Sequence, residues 1–378
     1  MSLLVLILFI PFSTSIDPKG YLVFCPCMGR FGNQVDQLLG VMQFTKNLDR
    51  TLVLPNFIEY HGATTKFIPF EYMFQLNRIK QYQKVITMSD FLKNVAPEVW
   101  PKESRKALCW SPRTSLFTPD SQIGCHAKEG SPFGPYWDKL NIDFVGDEYY
   151  GNIPGAYEMD VKGSRTEWLN RFNSSLYPVL AFSSAPASFP SNRRVWELQK
   201  YLRWGSRVLG MAKQYVADHL QKPFIGVHLR NERDWASVCE HIDSTKNNPL
   251  FASAQCLGER HHMGQITKSI CSPSTEVVLN AITDAVGSIG AKSVFVASDK
   301  DHMLDDINQA LKAYEVKAYK LPSDDPYVSL AVLALSDHFI GNCVSTFSHI
   351  VKRERDTSAN LRPSSYFGFS PPKRKIEL

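Results

Sequence analysis

The sequence predicts an α/β protein built on parallel sheets and organised in two domains. Three observations predict it. The C-terminal half alternates short apolar runs with helical segments, the pattern of βα units that cover both faces of a parallel sheet. Each half carries an apolar strand that ends in a polar turn, over 21–34 and again over 224–235. A length of 378 residues with 44% hydrophobic content suits two cores better than one.

Each element can be justified in order. Tyr21-Leu-Val-Phe24 is an apolar strand, and the turn Gly29-Arg-Phe-Gly-Asn33 opens a helix over 34–47. A second strand over 51–54 ends at Pro55. From 101 to 154 Gly, Pro, Trp and Tyr are frequent and helical periodicity disappears, so this stretch reads as a long loop that either binds or covers a core. Val195, Leu198, Leu202, Val208, Met211 and Val216 recur at helical spacing, which predicts one long helix over 193–220. Strands are then expected at 224–229, 293–297, 316–320 and 338–341. Helices are expected at 275–288 behind the capping residue Ser274, at 302–314, at 326–335 and from 347.

Net charge is +5 without a long basic run, which does not suit nucleic acid as a partner. The run Leu3 to Phe9, followed by Pro11, Ser13 and Ser15, resembles a signal-peptide core with cleavage near Ser15. It is far shorter than the roughly 20 residues that span a bilayer, so no membrane span is expected. The predicted organisation is a signal peptide over 1–15, an N-terminal domain over 16–205, and a C-terminal domain with tail over 206–378. Eight cysteines in an oxidising compartment suggest four disulfides, though spacing alone leaves the pairing open. Cys25-Pro-Cys27 is C-x-C rather than C-x-x-C and has no partner pair at zinc-finger spacing, so no metal is expected there. Asn173-Ser-Ser175 is the one glycosylation sequon. Lys375-Ile-Glu-Leu378 resembles the Lys-Asp-Glu-Leu retrieval signal apart from its Ile, which points to the endoplasmic reticulum lumen rather than to a frayed charged tail.

The candidate site lies at the two strand ends. Arg230 follows an apolar strand, and its planar guanidinium can hold two phosphate oxygens at once. For a phosphorylated donor, a fixed cation at a leaving phosphate stabilises charge that grows in the transition state. His228 lies on the same strand face. The competing reading is a surface ion pair between Arg230 and Asp234. Glycines around Arg30, Phe31 and Asn33 let backbone N–H groups approach an anion. Asn33 either orients a hydroxyl or caps the helix. Asp299-Lys-Asp301 matches a D-x-D pattern but begins a helix, so capping or a ribose contact is favoured over metal. Asp324, before a helix, and Ser345-Thr-Phe347, after the last strand, are candidates for nucleotide contacts or caps.

The stretch Cys25-Pro-Cys-Met-Gly-Arg-Phe-Gly-Asn-Gln34 resembles the opening of the protein O-fucosyltransferases that modify EGF-like repeats. Pro132-Phe-Gly-Pro-Tyr-Trp-Asp138, His228-Leu-Arg with Asp234-Trp235, Asp337-His-Phe-Ile-Gly-Asn-Cys343 and Val351-Lys-Arg-Glu-Arg-Asp356 resemble the same family in the same order. The resemblance implies two facing Rossmann-like domains, the GT-B glycosyltransferase arrangement. It implies an inverting transfer of fucose from GDP-fucose to a Ser or Thr hydroxyl of a folded EGF-like repeat, as on Notch-type receptors, with no cofactor or metal required. Donor contacts would fall on Arg30, Phe31, Gly32, Asn33, His228, Leu229, Arg230, Asp324, Ser345, Thr346 and Phe347. Arg230 would be the principal catalytic group and Asn33 a second. The implied disulfides are Cys25–Cys27, Cys109–Cys125, Cys239–Cys271 and Cys256–Cys343. The stretch Asn231-Glu-Arg233 departs from the family by its charge. Rival readings are a fucosyltransferase acting on thrombospondin repeats or N-glycans, and a non-catalytic chaperone of EGF-repeat proteins.

Overall fold

The computed structural model describes residues 16–61, 64–118, 122–240, 242 and 250–370. The expected signal peptide and the Lys375–Leu378 tail lie outside the described residues. The fold is mixed α/β, and the chain forms two compact units, each discontinuous in sequence. One contains the described residues up to Phe24 with Thr45–Pro55 and Lys84–Ser183. The other contains Cys25–Phe44, Asn56–Gln83 and the described residues from Ser184 onward.

The strands are β1 (Tyr21–Phe24), β2 (Thr51–Leu54), β3 (Phe57–His61), β4 (Thr64–Ile68), β5 (Val85–Thr87), β6 (Lys106–Cys109) and β7 (Gly146–Tyr149). They continue as β8 (Val179–Phe182), β9 (Phe224–Leu229), β10 (Ser293–Ser298), β11 (Lys317–Tyr319), β12 (His338–Gly341) and β13 (Ser364–Tyr366). In the first unit six strands pair in parallel in the order β5-β2-β1-β8-β6-β7. The central strands Tyr-Leu-Val-Phe and Val-Leu-Ala-Phe are buried throughout, as parallel strands covered on both faces should be. Two of these strands, β6 and β7, fall inside 101–154, so that stretch is not one long loop. Strand β7 is a polar edge strand and β6 is four residues long, which left neither a period to read.

The second unit holds a five-stranded parallel sheet in the order β11-β10-β9-β12-β13, and the antiparallel hairpin β3–β4. Ile225, Val227 and Leu229 on one face of β9 pack against Val278, Ile282 and Val286 of the helix Thr275–Ile289. That helix begins where Ser274 accepts a hydrogen bond from Val277 N–H, and it stops at Gly290 in the left-handed conformation. On the opposite face the helix Pro326–Leu335 lies so close to Gly226 that an added Cβ would meet Ser336 at 2.9 Å and Leu333 at 3.2 Å. Asp325, not Asp324, caps this helix through the N–H groups of Tyr327 and Val328.

The helix expected over 193–220 is broken. A turn at Arg193–Trp196 and a 3-10 stretch at Glu197–Tyr201 precede the helix Ser206–His219. The chain bends at 202–205 to seat Trp204, whose ring stacks on Phe74 at 5.1 Å and whose indole donates to Glu354 at 2.7 Å. The helix expected over 302–314 is Leu304–Leu311 with a 3-10 end, because Met303 stands at φ 51° and cannot extend it.

Candidate functional site

The order β11-β10-β9-β12-β13 is the 3-2-1-4-5 winding of a doubly wound sheet, and its direction reverses between β9 and β12. Open parallel sheets bind ligands at the carboxyl ends of the strands flanking such a reversal. Here those ends are His228-Leu229-Arg230 after β9 and the turn 342–345 after β12. The turn is built by buried amides. Asn342 Oδ1 accepts from the N–H groups of Val344 and Ser345, and its Nδ2 donates to Cys271 O. Gln255 Nε2 donates to the carbonyls of Asn342, Cys343 and Ser345 and is itself oriented by the Tyr366 hydroxyl.

Two helix N-termini meet at this turn. The helix Phe31–Asn47 begins earlier than expected, so Asn33 lies in its first turn and is not its cap. Asn33 Oδ1 instead accepts from the Thr346 hydroxyl at 2.7 Å, at the start of the helix Thr346–Asp356. Ser345 caps that second helix through Phe347 N–H. Gly32 makes the approach possible, because an added Cβ would meet Thr346 Oγ1 at 2.6 Å and Phe347 N at 3.1 Å. First-turn N–H groups from two helices therefore converge, a setting that favours an anion. Gly32→Ala should push the two helix starts apart, costing about 1–3 kcal/mol by overpacking. GDP titration beside a melting curve should show weaker binding than the loss of stability alone explains.

Below this surface the same two helices are tied by charge. The Arg353 guanidinium donates to Asp36, to His349 Nδ1 at 2.7 Å and to Gln199 at 3.1 Å, all buried. Ser191 N–H donates to the other Asp36 oxygen at 2.9 Å. Burial works to raise the Asp36 carboxyl, but the Arg353 charge beside it prevails and holds it well below the usual carboxylate range.

His228 is buried. Its ring stacks on Phe347 at 4.5 Å and its Nδ1 bonds the Ser348 hydroxyl at 2.7 Å. Burial, with the nearby Arg230 charge, pulls its pKa down to about 3, so the ring is neutral at physiological pH. It can accept or donate a hydrogen bond but does not serve as an imidazolium. Phe31 lies in an aromatic cluster with Phe57, Phe74 and Tyr327, and Leu229 lies in the core below β9. Their side chains are occupied by packing, which leaves their backbone for a ligand.

Arg230 is only partly exposed and is held on several sides. Its guanidinium donates to Asp234 at 2.8 Å, pairs with Asp299 and lies 3.6 Å from Glu232. The Trp235 ring packs against it at 4.9 Å. Asp299 is therefore neither the helix cap nor free for a ribose, since its other oxygen accepts from Asn231 N–H at 2.9 Å. Asn231 in turn takes the Ser298 hydroxyl and Asp301 N–H, so the charged stretch after β9 is stapled to the end of β10. The carboxylates of Glu232, Asp234 and Asp299 offer oxygens within 4.8 Å of one another, a spacing a cation accepts, but all three surround the Arg230 guanidinium. Arg30 is exposed and pairs with Glu232 at 3.3 Å. Asp324 is exposed at φ 48°, paired with His302 at 3.2 Å and Lys320 at 2.9 Å. The disulfides join Cys25 to Cys27, Cys109 to Cys125, Cys239 to Cys271 and Cys256 to Cys343, the last anchoring the turn after β12.

Sequence reasoning gave no role to Gln255, Asn342 or Ser348, although Asn342 stands inside a quoted motif. Each has a partner far away in sequence, the turn carbonyls for Gln255, the Cys271 carbonyl for Asn342 and the His228 ring for Ser348, which no local pattern signals.

A family model described as GDP-fucose protein O-fucosyltransferase matches residues 21–358. The curated GDP-fucose protein O-fucosyltransferase 1 of Caenorhabditis elegans is 60% identical over 367 residues, covering 97% of this chain and 94% of the relative. The crystal structure of POFUT1 in complex with GDP-fucose is similar with a TM-score of 0.92 at 60% identity, over 95% of this chain and 100% of that one. POFUT1 in complex with GDP gives a TM-score of 0.89 at 61% identity, over 93% and 100% of the two chains.

Proposed function

Because this chain belongs to the GDP-fucose protein O-fucosyltransferase family, we propose that it transfers fucose from GDP-fucose to a Ser or Thr hydroxyl of folded EGF-like repeats, with inversion at the anomeric carbon. The observation that carries the reading is that Arg230, after β9, and Thr346, after β12 and paired with the helix start at Asn33, follow the two strands that flank the reversal point of a nucleotide-binding type of sheet. The solved complexes of POFUT1 with GDP-fucose and with GDP support the same donor.

In the proposed reaction the diphosphate rests against Arg230 and the first-turn N–H groups near Gly32 and Thr346. The acceptor oxygen forms a bond to fucose C1 as the bond from C1 to the β-phosphate oxygen breaks. That electron pair leaves with the diphosphate, where the guanidinium meets the growing charge. The hydroxyl proton passes, as the new bond forms, to water, so that GDP leaves as the anion held by the guanidinium. Asn33, fixed by Thr346, and neutral His228 orient the donor, while Asp324 and Ser345 stand at its nucleotide side. To receive the donor, Arg230 must exchange at least one of its present carboxylate partners.

The acceptor class is tested by incubating the protein and GDP-fucose with folded EGF-like repeats, reduced EGF-like repeats and folded thrombospondin repeats. Mass spectrometry should find fucose on the folded EGF-like repeats alone. Equal transfer to thrombospondin repeats would overturn the acceptor assignment.

We place the protein in the endoplasmic reticulum lumen, a setting supported by four disulfides and by the Lys375–Leu378 sequence. Among the described residues, no helix is long and apolar enough to cross a membrane. Removing the last four residues should raise the secreted fraction, measured by immunoblot of the medium. Unchanged retention would remove the retrieval role. In the same compartment Asn173 is proposed to carry a glycan, which peptide mapping after glycosidase treatment would detect.

A further inference from the structure

We propose that Glu232 is an affinity-setting residue for the donor: its carboxylate occupies, between Arg30 and Arg230, the place that a phosphate of the nucleotide takes. This rests on the reading of Arg230 as the diphosphate-binding group. One oxygen of Glu232 lies 3.3 Å from Arg30 and 3.6 Å from Arg230. Two guanidinium groups converging on one anionic oxygen is the arrangement a phosphate oxygen also satisfies.

The neighbouring acids are placed differently. Asp299 is pinned through its second oxygen by Asn231 N–H. Asp234 bonds Arg230 through the other terminal nitrogen, at one turn of helical spacing. Among the described residues Glu232 alone bridges both arginines, and it stands, partly exposed, just ahead of the helix Arg233–Glu240 with its side chain engaged by the two arginines. It is therefore the carboxylate that can withdraw without disturbing a backbone contact. The donor enters by displacing it, and after transfer it competes with the departing GDP. The residue thereby lowers donor affinity and speeds product release.

Calorimetric titration of GDP into the full-length protein tests this. Exposed ion pairs of this kind are individually weak, so freeing two arginines predicts roughly a five- to tenfold fall in the GDP dissociation constant for Glu232→Gln. Glu232→Ala should act in the same direction, and Glu232→Asp, which keeps the charge, should stay closer to the parent protein. Glu315→Gln removes an exposed charge just before β11, at the amino-terminal edge of the same parallel sheet and so opposite the carboxyl edge that carries Arg230, and should change binding less than twofold. Unchanged or weaker GDP binding by Glu232→Gln, with an unaltered melting temperature, overturns the proposal. The same gain in Glu315→Gln also overturns it, because net charge would then be the cause. Absence of GDP binding by the parent protein would instead refute the donor reading and take the proposal with it.

Discussion

Arg230→Lys should lose transfer by roughly a hundred- to thousandfold, while the fold remains intact. Lysine keeps the positive charge, but it cannot present two parallel N–H donors to a diphosphate. Losing one transition-state hydrogen bond of this kind costs about 3–4 kcal/mol. The geometry also predicts how the loss is distributed. Arg230 already has Asp234, Asp299, Glu232 and Trp235 around it, so a lysine ammonium would be neutralised where it sits and would reach less far toward a ligand. The fall should appear mainly in kcat, with a smaller effect on GDP affinity. A purely structural arginine would give the opposite result: a lower melting temperature and near-normal turnover per folded molecule.

The second large effect is expected at the buried charge pair beneath the site. Asp36→Ala strands the Arg353 guanidinium, which is 2% exposed, and should destabilise the protein by about 3–5 kcal/mol. That corresponds to a fall in melting temperature on the order of 10 °C. The double variant Asp36→Leu with Arg353→Met should recover much of this, since paired removal leaves no orphaned charge. The sign of the pH dependence follows from the depressed Asp36 carboxyl. Its stabilisation is fully present above its ordinary value of 3.8 and is lost as pH falls below it toward the folded value. Acid unfolding of the parent protein should therefore be steeper below about pH 4 than that of Asp36→Asn. Equal acid slopes would show that the pair contributes no pH-dependent stability.

What the sequence made legible depended on where each interaction partner lay. The βα alternation from β9 onward could be read because each strand is an apolar run and each helix has a local stop or start, as with Ser274 and Gly290. The strands β3 to β8 and β13 were missed. They are three to five residues long, and β7 and β13 are sheet edges with polar residues and no alternation. The break at 202–205 was missed because Trp204 packs on Phe74, distant in sequence, and this overrides the local helical period. Arg230, Gly32 and Ser345 could be picked out because strand ends and helix starts advertise themselves. Asp36 could not. It sits in an apolar helix, and its partner lies 317 residues away. Asp299 looked like a cap for the following helix, and only the pairing of β9 with β10 places it beside Arg230.

The central claim is that Arg230, at the end of β9, drives departure of the diphosphate during fucose transfer. The most direct test is a single-turnover reaction of the parent protein and Arg230→Lys with GDP-fucose and one folded EGF-like repeat, followed by intact mass. The parent protein should add one fucose to the repeat and release one GDP, and the variant should bind GDP yet transfer at least a hundredfold more slowly. Equal single-turnover rates in the two proteins, at matched donor occupancy, would contradict the account.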